Sequence, residues 1–256
     1  MRITLLQTDI FWEDKSANLD ILGMHIGKLS GTTDLVVLPE MFTTGFSMRS
    51  RDLAETMQGP SAAWMKNIAS HYNLAVCGSI IVKEGQKHLN RFLFATPDGS
   101  MYKYDKRHLF GPGGEDRNFN AGKERVVISY GGLRIMPCIC YDLRFPVWLR
   151  NRNDYDLLVC VANWPESRRE VWNILLKARA IENQCFVAGV NRIGNDPEGN
   201  HYAGESAVID PKGKIMINLT EADAGHITAE LDIQQLREFR TKFPVWKDSD
   251  KFNLNV

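Results

Sequence analysis

The sequence predicts an α/β fold in which a mixed sheet, or two sheets, is covered by helices. Short apolar runs alternate with helix-like stretches along the chain, a pattern typical of α/β proteins. Turn sequences separate three pairs of these runs, which indicates hairpins beside the helical crossovers. Hydrophobic residues make up 44% and charged residues 24% of the 256 residues, so the chain can bury a large core.

The first half of the chain predicts five strands and one helix. Asp34–Pro39 is rich in valine and leucine, which favours a buried strand. The helix follows Gly59-Pro60, and Ser61 is its expected N-cap. The predicted strands are Met1–Asp9, Asp34–Pro39, Leu74–Ile81, Asn90–Thr96 and Met101–Tyr104, and the helix is Ser61–Tyr72.

The second half predicts further strands and, besides a short helix after Cys140, two longer helices. Gly131-Gly132 and Pro211–Gly213 separate apolar runs, and each predicts the turn of a hairpin. The predicted strands are Val126–Tyr130, Leu133–Cys140, Tyr155–Ala162, Gln184–Asn191, Glu205–Asp210, Lys214–Ile217 and His226–Asp232, and the helices are Glu170–Glu182 and Ile233–Arg240. The sequence contains no repeat, low-complexity segment or Pro/Gly/Ser linker, so we expect a single domain over residues 1–256.

Composition excludes several functional classes. The net charge is +0 with a pI near 7.0, which argues against nucleic-acid binding. No apolar run approaches the length of a membrane span, and the N-terminus becomes polar too soon for a signal peptide. The five cysteines lie in or beside apolar runs. An odd count in such settings favours reduced thiols, and we expect a cytoplasmic protein.

Cys140 is the candidate nucleophile. It ends an apolar, strand-like run and precedes a charged segment that leads into a predicted helix at Val147–Leu149. A thiol between a strand and a helix is lifted out of the sheet, beside backbone N–H groups that could stabilise an oxyanion. The alternative is that Cys140 is a small buried apolar residue, as most free cysteines are.

Two charged residues could assist a thiol. Glu40 follows the strand Asp34–Pro39 and lies where α/β sheets commonly place ligands, so it is a candidate general base. Lys106 lies in a charged segment that could equally be a solvated cluster. His108, in the same segment, is an alternative base for a Cys/His hydrolase. The glycine-rich loop Leu109–Lys123 is long enough to shape a site.

The segments around these residues resemble the carbon–nitrogen hydrolase (nitrilase) superfamily. The motifs occur in the family's order and cover nearly the whole chain. They are Leu38–Phe42, Tyr104–Phe110, Cys140–Pro146, Val161–Pro165, Arg179–Asn183, Val187–Arg192 and Gly204–Gly213. The resemblance implies a four-layer α-β-β-α sandwich that assembles as a homodimer or larger homo-oligomer. The C-terminal run Lys242–Trp246 would either pack across such an interface or fold back onto its own core.

The resemblance also implies catalytic roles. Cys140 would be the nucleophile, Glu40 the general base, and Lys106 the cation that stabilises the oxyanion together with the backbone N–H of Tyr141. Glu115 matches an auxiliary glutamate that orients Lys106 or the leaving amine. Asp142 and Arg144 would brace the nucleophile turn. No metal or organic cofactor is required by this chemistry, and the ligand would be a small amide.

Among compact members, the chain most resembles the bacterial omega-amidases, on the stretches Tyr104–Phe110, Cys140–Trp148 and Asn153–Leu157. These enzymes hydrolyse the terminal amide of 2-oxo acid amides such as 2-oxoglutaramate and 2-oxosuccinamate. The substrate carboxylate requires a cation or N–H donors, for which the loop candidates are Arg117, Arg168 and Arg169. The aromatic residues expected in the pocket wall, or alternatively in the core, are Phe42, Phe110, Tyr141 and Trp164.

Three other interpretations remain open from sequence. The same three residues could act on a carbamoyl compound, a nitrile or a glutathione-derived amide. A family member could serve as a binding or scaffold protein, although loss of a catalytic residue would mark that case and all three are present. A Cys/His hydrolase would depend on His108 and tolerate Glu40→Gln, whereas the Glu-Lys-Cys arrangement predicts the reverse.

Overall fold

Two six-stranded sheets form the centre of the molecule in a computed structural model, which describes residues 1–254. The last two residues of the predicted 1–256 domain, Asn255 and Val256, lie outside the described residues. The strands of the molecule are β1 (Arg2–Gln7), β2 (Leu35–Val37), β3 (Ala75–Glu84), β4 (Lys87–Ala95), β5 (Met101–Asp105), β6 (Ile128–Tyr130), β7 (Leu133–Ile139), β8 (Leu157–Ala162), β9 (Phe186–Asn191), β10 (Ile193–Asn195), β11 (His201–Ala203), β12 (Ala207–Ile209), β13 (Ile215–Asn218) and β14 (Gly225–Glu230). The first sheet has the strand order β14-β1-β2-β3-β4-β5 and the second the order β13-β12-β9-β8-β7-β6, while β10 and β11 pair with each other.

The two sheets share one topology. In each sheet three neighbouring strands are parallel, namely β1, β2 and β3 in the first and β7, β8 and β9 in the second. One antiparallel strand flanks this trio on one side. On the other side lies an antiparallel strand followed by an outer strand that is antiparallel to it and so runs in the direction of the trio. The sequence shows no repeat because the two halves share strand order and direction rather than residues.

Helices cover the outer faces of both sheets. The helices of residues 1–254 are α1 (Lys15–Gly27), α2 (Ser50–Leu53), α3 (Pro60–Tyr72), α4 (Glu115–Asn118), α5 (Pro146–Leu149), α6 (Arg169–Asn183) and α7 (Ile233–Lys242). Short 3-10 helices occupy Gly111–Gly113, Cys140–Arg144, Glu166–Arg168 and Val245–Asp248. Helices α1 and α3 pack on the first sheet, and α6 packs on the second. The predicted α/β class and its α-β-β-α layering are therefore confirmed.

Alternation along the strands divides the core between the layers. In β2, Leu35 and Val37 join the cluster between the two sheets, whereas Val36 joins the cluster under α1 and α3. Strand β8 is apolar at every position because the first sheet covers one of its faces and α6 the other. Burying both faces of each sheet explains why the sequence shows continuous apolar runs instead of strict alternation.

Local predictions differ from the structure at a few elements. Gly59, not Ser61, is the N-cap of α3, because Pro60 takes the first helical position and the Ser61 hydroxyl donates to Glu55 Oε1 at 2.6 Å. Helix α1 was not predicted: its buried residues include a polar one, Asn18, so its apolar stripe is weak. The short hairpin β10–β11 was also not predicted, since its six residues have little apolar pattern.

The C-terminal run Lys242–Trp246 is fastened to the core by its backbone. The Gln184 side-chain amide donates to the carbonyl of Phe243 at 2.8 Å. The rings of Phe243 and Trp246 nevertheless remain 61% and 38% exposed. The homodimer expected from the resemblance stays a prediction. Within residues 1–254, no helix combines the length and the apolar composition needed to cross a lipid bilayer.

The loop Leu109–Lys123 is fixed to the edge of the first sheet. The backbone N–H of Gly122 donates to the carbonyl of Lys106 at 2.8 Å, and that of Asn120 donates to the carbonyl of His88 at 2.7 Å. A Cβ atom at Gly122 would lie 2.1 Å from the backbone oxygen of Asp105. Only glycine allows this approach, which holds the loop against the end of β5.

We expect Gly122→Ala to lower the free energy of unfolding by about 1–3 kcal/mol, the usual cost of forced overpacking. Urea denaturation measures this change. Gly23→Ala in α1 is the matched control, because its Cβ would lie 3.9 Å from the nearest atom, in Trp64. That variant should gain up to about 1 kcal/mol from helix propensity. Equal stabilities of the two variants would contradict the predicted close approach.

Candidate active site

The candidate site residues follow the ends of strands from both sheets. Glu40 lies three residues beyond β2 in the first sheet, and Lys106 directly follows β5. Cys140 directly follows β7 in the second sheet, and Asn163 directly follows β8. Because β2, β7 and β8 belong to the parallel trios, their carboxyl ends form the crevice where α/β proteins commonly bind ligands.

Cys140 adopts a left-handed backbone conformation at the start of the 3-10 helix Cys140–Arg144. Its φ is 46°, an uncommon value for a residue other than glycine. Cys140 is partly exposed, and its Sγ lies 3.8 Å from the carbonyl oxygen of Asn163. The backbone N–H of Tyr141 is in the first turn of this helix, where N–H groups have no partner within the helix. A nucleophile and a free donor therefore lie side by side.

Asp142 fixes the turn that carries Cys140. It is fully buried, and its carboxylate accepts hydrogen bonds from the Tyr104 hydroxyl at 2.8 Å and the backbone N–H of Ile139 at 3.1 Å. His108 binds the same carboxylate through its backbone N–H and its ring Nδ1, both at 2.8 Å. The His108 ring also stacks on Phe145, with 3.8 Å between ring centroids. His108 is thus engaged with Asp142 and Phe145.

Lys106 is buried between two carboxylates. Its Nζ lies 2.9 Å from Glu40 Oε1, 2.9 Å from Glu115 Oε2 and 3.1 Å from Glu115 Oε1. All three side chains are fully buried. Glu115 begins α4, and its Oε2 also accepts the backbone N–H of Phe110 at 2.7 Å. The structure thus brings together the three charged residues proposed from sequence.

Two asparagines complete this network, and sequence reasoning assigned no role to either. Asn90 Nδ2 donates to Glu40 Oε1 at 2.8 Å and to Glu115 Oε1 at 3.1 Å. Asn163 donates its backbone N–H to Glu40 Oε2 at 2.9 Å. Asn163 had a signal, since it follows a buried strand just as Glu40 does. Asn90 had none, because an amide within a predicted strand is usually on a solvated face.

Electrostatics set the protonation of the thiol. Burial raises the pKa of Cys140 well above its usual range, and the charge on Glu40 raises it further, while Lys106 lowers it. For Lys106, burial lowers the pKa, but Glu115 and Glu40 outweigh burial and hold that pKa well above its usual range. Burial raises the pKa of Glu115, which Lys106 counters. At neutral pH, Cys140 therefore rests as a thiol beside a protonated lysine, and attack requires a base.

A cavity of about 300 Å³ opens above Cys140. Phe110, Tyr141 and Trp164 line it, as the sequence predicted. Phe42 does not, which corrects that expectation. Its ring is 1% exposed and packs in the core between the first sheet and its helices, with its centroid 6.1 Å from that of Trp64.

The arginine candidates divide by position. Arg168 lines the cavity, whereas Arg117 is exposed on α4. Arg169 points to Glu205, with 2.8 Å between Nη2 and Oε1. Arg144 also lines the cavity. It follows Cys140 by four residues and was expected to brace the turn. That brace comes instead from Arg179, whose Nε and Nη2 donate to the Leu143 carbonyl at 3.0 and 2.6 Å.

We expect alkylation of Cys140 by iodoacetamide to accelerate with pH, with a midpoint above that of a free cysteine, about 8.5. The reason is the raised pKa of the buried thiol. Glu40→Gln should move the midpoint down, because Glu40 raises the pKa of Cys140. Intact-protein mass spectrometry at a series of pH values gives the rates.

Cys140→Ala is the control for this titration. The other four cysteines (Cys77, Cys138, Cys160 and Cys185) are fully buried, so the folded variant should resist alkylation. Fast alkylation of the wild type that does not change between pH 6 and 9, roughly the range around the free-cysteine pKa, would contradict a resting thiol.

Comparison with known proteins places this site in a family. A carbon–nitrogen hydrolase family model matches residues 2–241. Omega-amidase YafV of Escherichia coli (strain K12) is 46% identical over 254 residues, covering 99% of this chain and 98% of the relative. The 2-oxoglutaramate amidase of Bacillus subtilis (strain 168) is 37% identical over 254 residues, covering 97% of each chain.

A solved structure agrees with these matches. A CN-hydrolase superfamily protein from Xanthomonas campestris, which has an arsenic adduct in its active site, superposes with a TM-score of 0.97 at 45% identity. The match covers 100% of this chain and 99% of that one. With a family model over most of the chain, and relatives this similar over their full length, the chain belongs to the carbon–nitrogen hydrolase family.

Proposed function

We propose that this protein is an omega-amidase that hydrolyses the terminal amide of 2-oxo acid amides, such as 2-oxoglutaramate and 2-oxosuccinamate, through a cysteine thioester. The coarser statement, that it is an amidohydrolase of the carbon–nitrogen hydrolase family, follows from the family and the relatives together. One observation carries the proposal: the charges of a buried Glu40–Lys106–Glu115 network act on a partly exposed Cys140 that lines a small cavity.

During acylation of Cys140, Glu40 first accepts a proton from the thiol and later donates it to the leaving amide nitrogen. Glu40 accepts the thiol proton as Sγ attacks the amide carbon, and the carbonyl electron pair moves to oxygen. Lys106 Nζ and the backbone N–H of Tyr141 stabilise the resulting oxyanion. Glu40 then returns the proton to the amide nitrogen, the C–N bond breaks, and ammonia leaves. A thioester on Cys140 remains.

Deacylation repeats the same steps with water. Glu40 accepts a proton from a water molecule as the water oxygen attacks the thioester carbon. Lys106 Nζ and the backbone N–H of Tyr141 stabilise the second oxyanion. The C–S bond breaks, the Cys140 thiol recovers its proton, and a carboxylic acid leaves. Glu115 touches Lys106 rather than Cys140 in this scheme. Its role is to keep the Lys106 ammonium protonated and in place.

The position of His108 favours this scheme over a Cys/His hydrolase. His108 Nδ1 is engaged with Asp142, and the ring stacks on Phe145. Glu40 and Lys106, by contrast, influence the pKa of Cys140 directly. The size of the cavity, about 300 Å³, is at the lower end for ligand pockets, which suits a short amide. The other substrates with the same chemistry are a carbamoyl compound or a nitrile.

Ammonia release from 2-oxoglutaramate and 2-oxosuccinamate tests the nucleophile and the base. We expect Cys140→Ala to abolish release, and Glu40→Gln to lower kcat by at least about 100-fold, because the thiol proton then has no acceptor. His108→Ala is the comparison variant and should retain most of the activity. Loss of activity in His108→Ala with full activity in Glu40→Gln would support the Cys/His alternative instead.

Glu115→Gln tests the positioning of Lys106. We expect kcat to fall by about 10- to 100-fold with little change in KM, because the variant keeps the shape of the side chain and loses the charge that holds the ammonium. Steady-state kinetics separate the two constants. An increase in KM at constant kcat would instead assign Glu115 to ground-state binding of the substrate.

A further inference from the structure

Two arginines in the cavity wall have no polar partner. Arg144 and Arg168 both line the cavity and are partly buried. Neither guanidinium makes a hydrogen bond or an ion pair with another group of residues 1–254. Every other arginine of that range that is at least partly buried donates to a carboxylate or a carbonyl. The structure contains these pairs for Arg2, Arg91, Arg107, Arg125, Arg134, Arg150, Arg179, Arg192 and Arg240.

Aromatic rings hold both guanidinium groups in place. The Cζ of Arg144 lies 5.2 Å from the centroid of the Trp164 ring, and the Cζ of Arg168 lies 5.2 Å from that of Phe110. The Trp164 indole also donates to the carbonyl of Arg168 at 2.9 Å. Contacts of this kind use the flat face of a guanidinium and leave its N–H edge free. Both guanidinium groups are thus in contact with a ring while their N–H groups stay available to a ligand.

The charge in the cavity favours an anion. Apart from the thiol of Cys140, the ionisable side chains among the lining residues are Tyr141, Arg144, Arg168, Glu198 and Tyr202. Glu198 is an exposed residue of the segment between β10 and β11, and the Tyr202 hydroxyl donates to Asp196 at 2.8 Å. The lining therefore contains two guanidinium groups, each able to bind a carboxylate bidentately, and one carboxylate, that of the exposed Glu198.

We infer that Arg144 and Arg168 together bind the substrate carboxylate while the scissile amide lies at Cys140, and that this pair makes the enzyme selective for short amides that carry a carboxylate. The inference rests on the proposed amidase function and adds its specificity determinant. The two arginines come from different elements, the 3-10 helices Cys140–Arg144 and Glu166–Arg168. A carboxylate held between them would fix the substrate relative to the nucleophile.

A ladder of three amides tests the inference: 2-oxoglutaramate, glutaramate, which lacks the oxo group, and pentanamide, which also lacks the carboxylate. We expect Arg144→Gln and Arg168→Gln each to lower kcat/KM by about 10- to 100-fold on the two carboxylated amides. The change on pentanamide should stay within about threefold. Arg144→Lys and Arg168→Lys should recover part of the loss, because they keep the charge but not the fork.

Two controls separate binding from folding and from general charge. Arg237→Gln removes an exposed arginine of α7, outside the cavity, and should leave all three rates unchanged. Titration calorimetry with 2-oxoglutarate on Cys140→Ala measures binding without turnover. Arg144→Gln and Arg168→Gln in that background should each weaken Kd by about 10- to 100-fold. Thermal unfolding confirms that each variant is folded.

The outcomes distinguish this inference from the proposed function. If the wild type hydrolyses 2-oxoglutaramate and both glutamine variants match it, the function stands and the arginine pair is overturned. If only glutaramate is hydrolysed, with arginine dependence, the pair stands and the 2-oxo acid substrate is discarded. If none is hydrolysed, 2-oxoglutarate binding to Cys140→Ala decides: arginine-dependent binding supports the pair, and binding that ignores both arginines overturns it. Equal losses on pentanamide and the carboxylated amides would also overturn it.

Discussion

The buried ammonium of Lys106 between Glu40 and Glu115 is the interaction on which the site depends. Three charges removed from water are costly unless hydrogen bonds satisfy them. Asn90 supplies a donor to both carboxylates. The fixed geometry that results leaves the charges of Glu40 and Lys106 acting on the Cys140 thiol, an arrangement that suits the proposed acyl transfer.

The complete site, in which this network meets Cys140 and Asn163, forms only when the two sheets are assembled. Glu40, Asn90 and Lys106 come from the first sheet or its ends, whereas Cys140 and Asn163 follow strands of the second. Asn163 joins the halves, because its side-chain amide donates to the backbone carbonyl of Glu40 at 2.6 Å and its backbone N–H donates to the Glu40 carboxylate at 2.9 Å. The core between the sheets therefore also sets the distance between base and nucleophile.

The positive and negative side chains around Cys140 occupy different places. The carboxylates of Glu40 and Glu115 are buried and do not line the cavity, whereas Arg144 and Arg168 line it together with Cys140. Burial, assisted by the charge on Glu40, raises the pKa of Cys140 and favours the thiol, the form that is less reactive toward oxidants and alkylating agents. A substrate with a neutral amide at one end and a carboxylate at the other matches this separation.

The sequence by itself determined the α/β class and most strands, and it selected Glu40, Lys106, Glu115 and Cys140 as candidate site residues, because hydrophobic periodicity and motif order are local signals. It could not decide which side chains meet. Asn90 binds the carboxylates through pairing of β4 with its neighbours in the first sheet, Phe42 turns into the core under α3, and Arg144 faces the cavity. Those outcomes depend on how the sheets stack and on where each side chain finds space, and only the tertiary structure decides them.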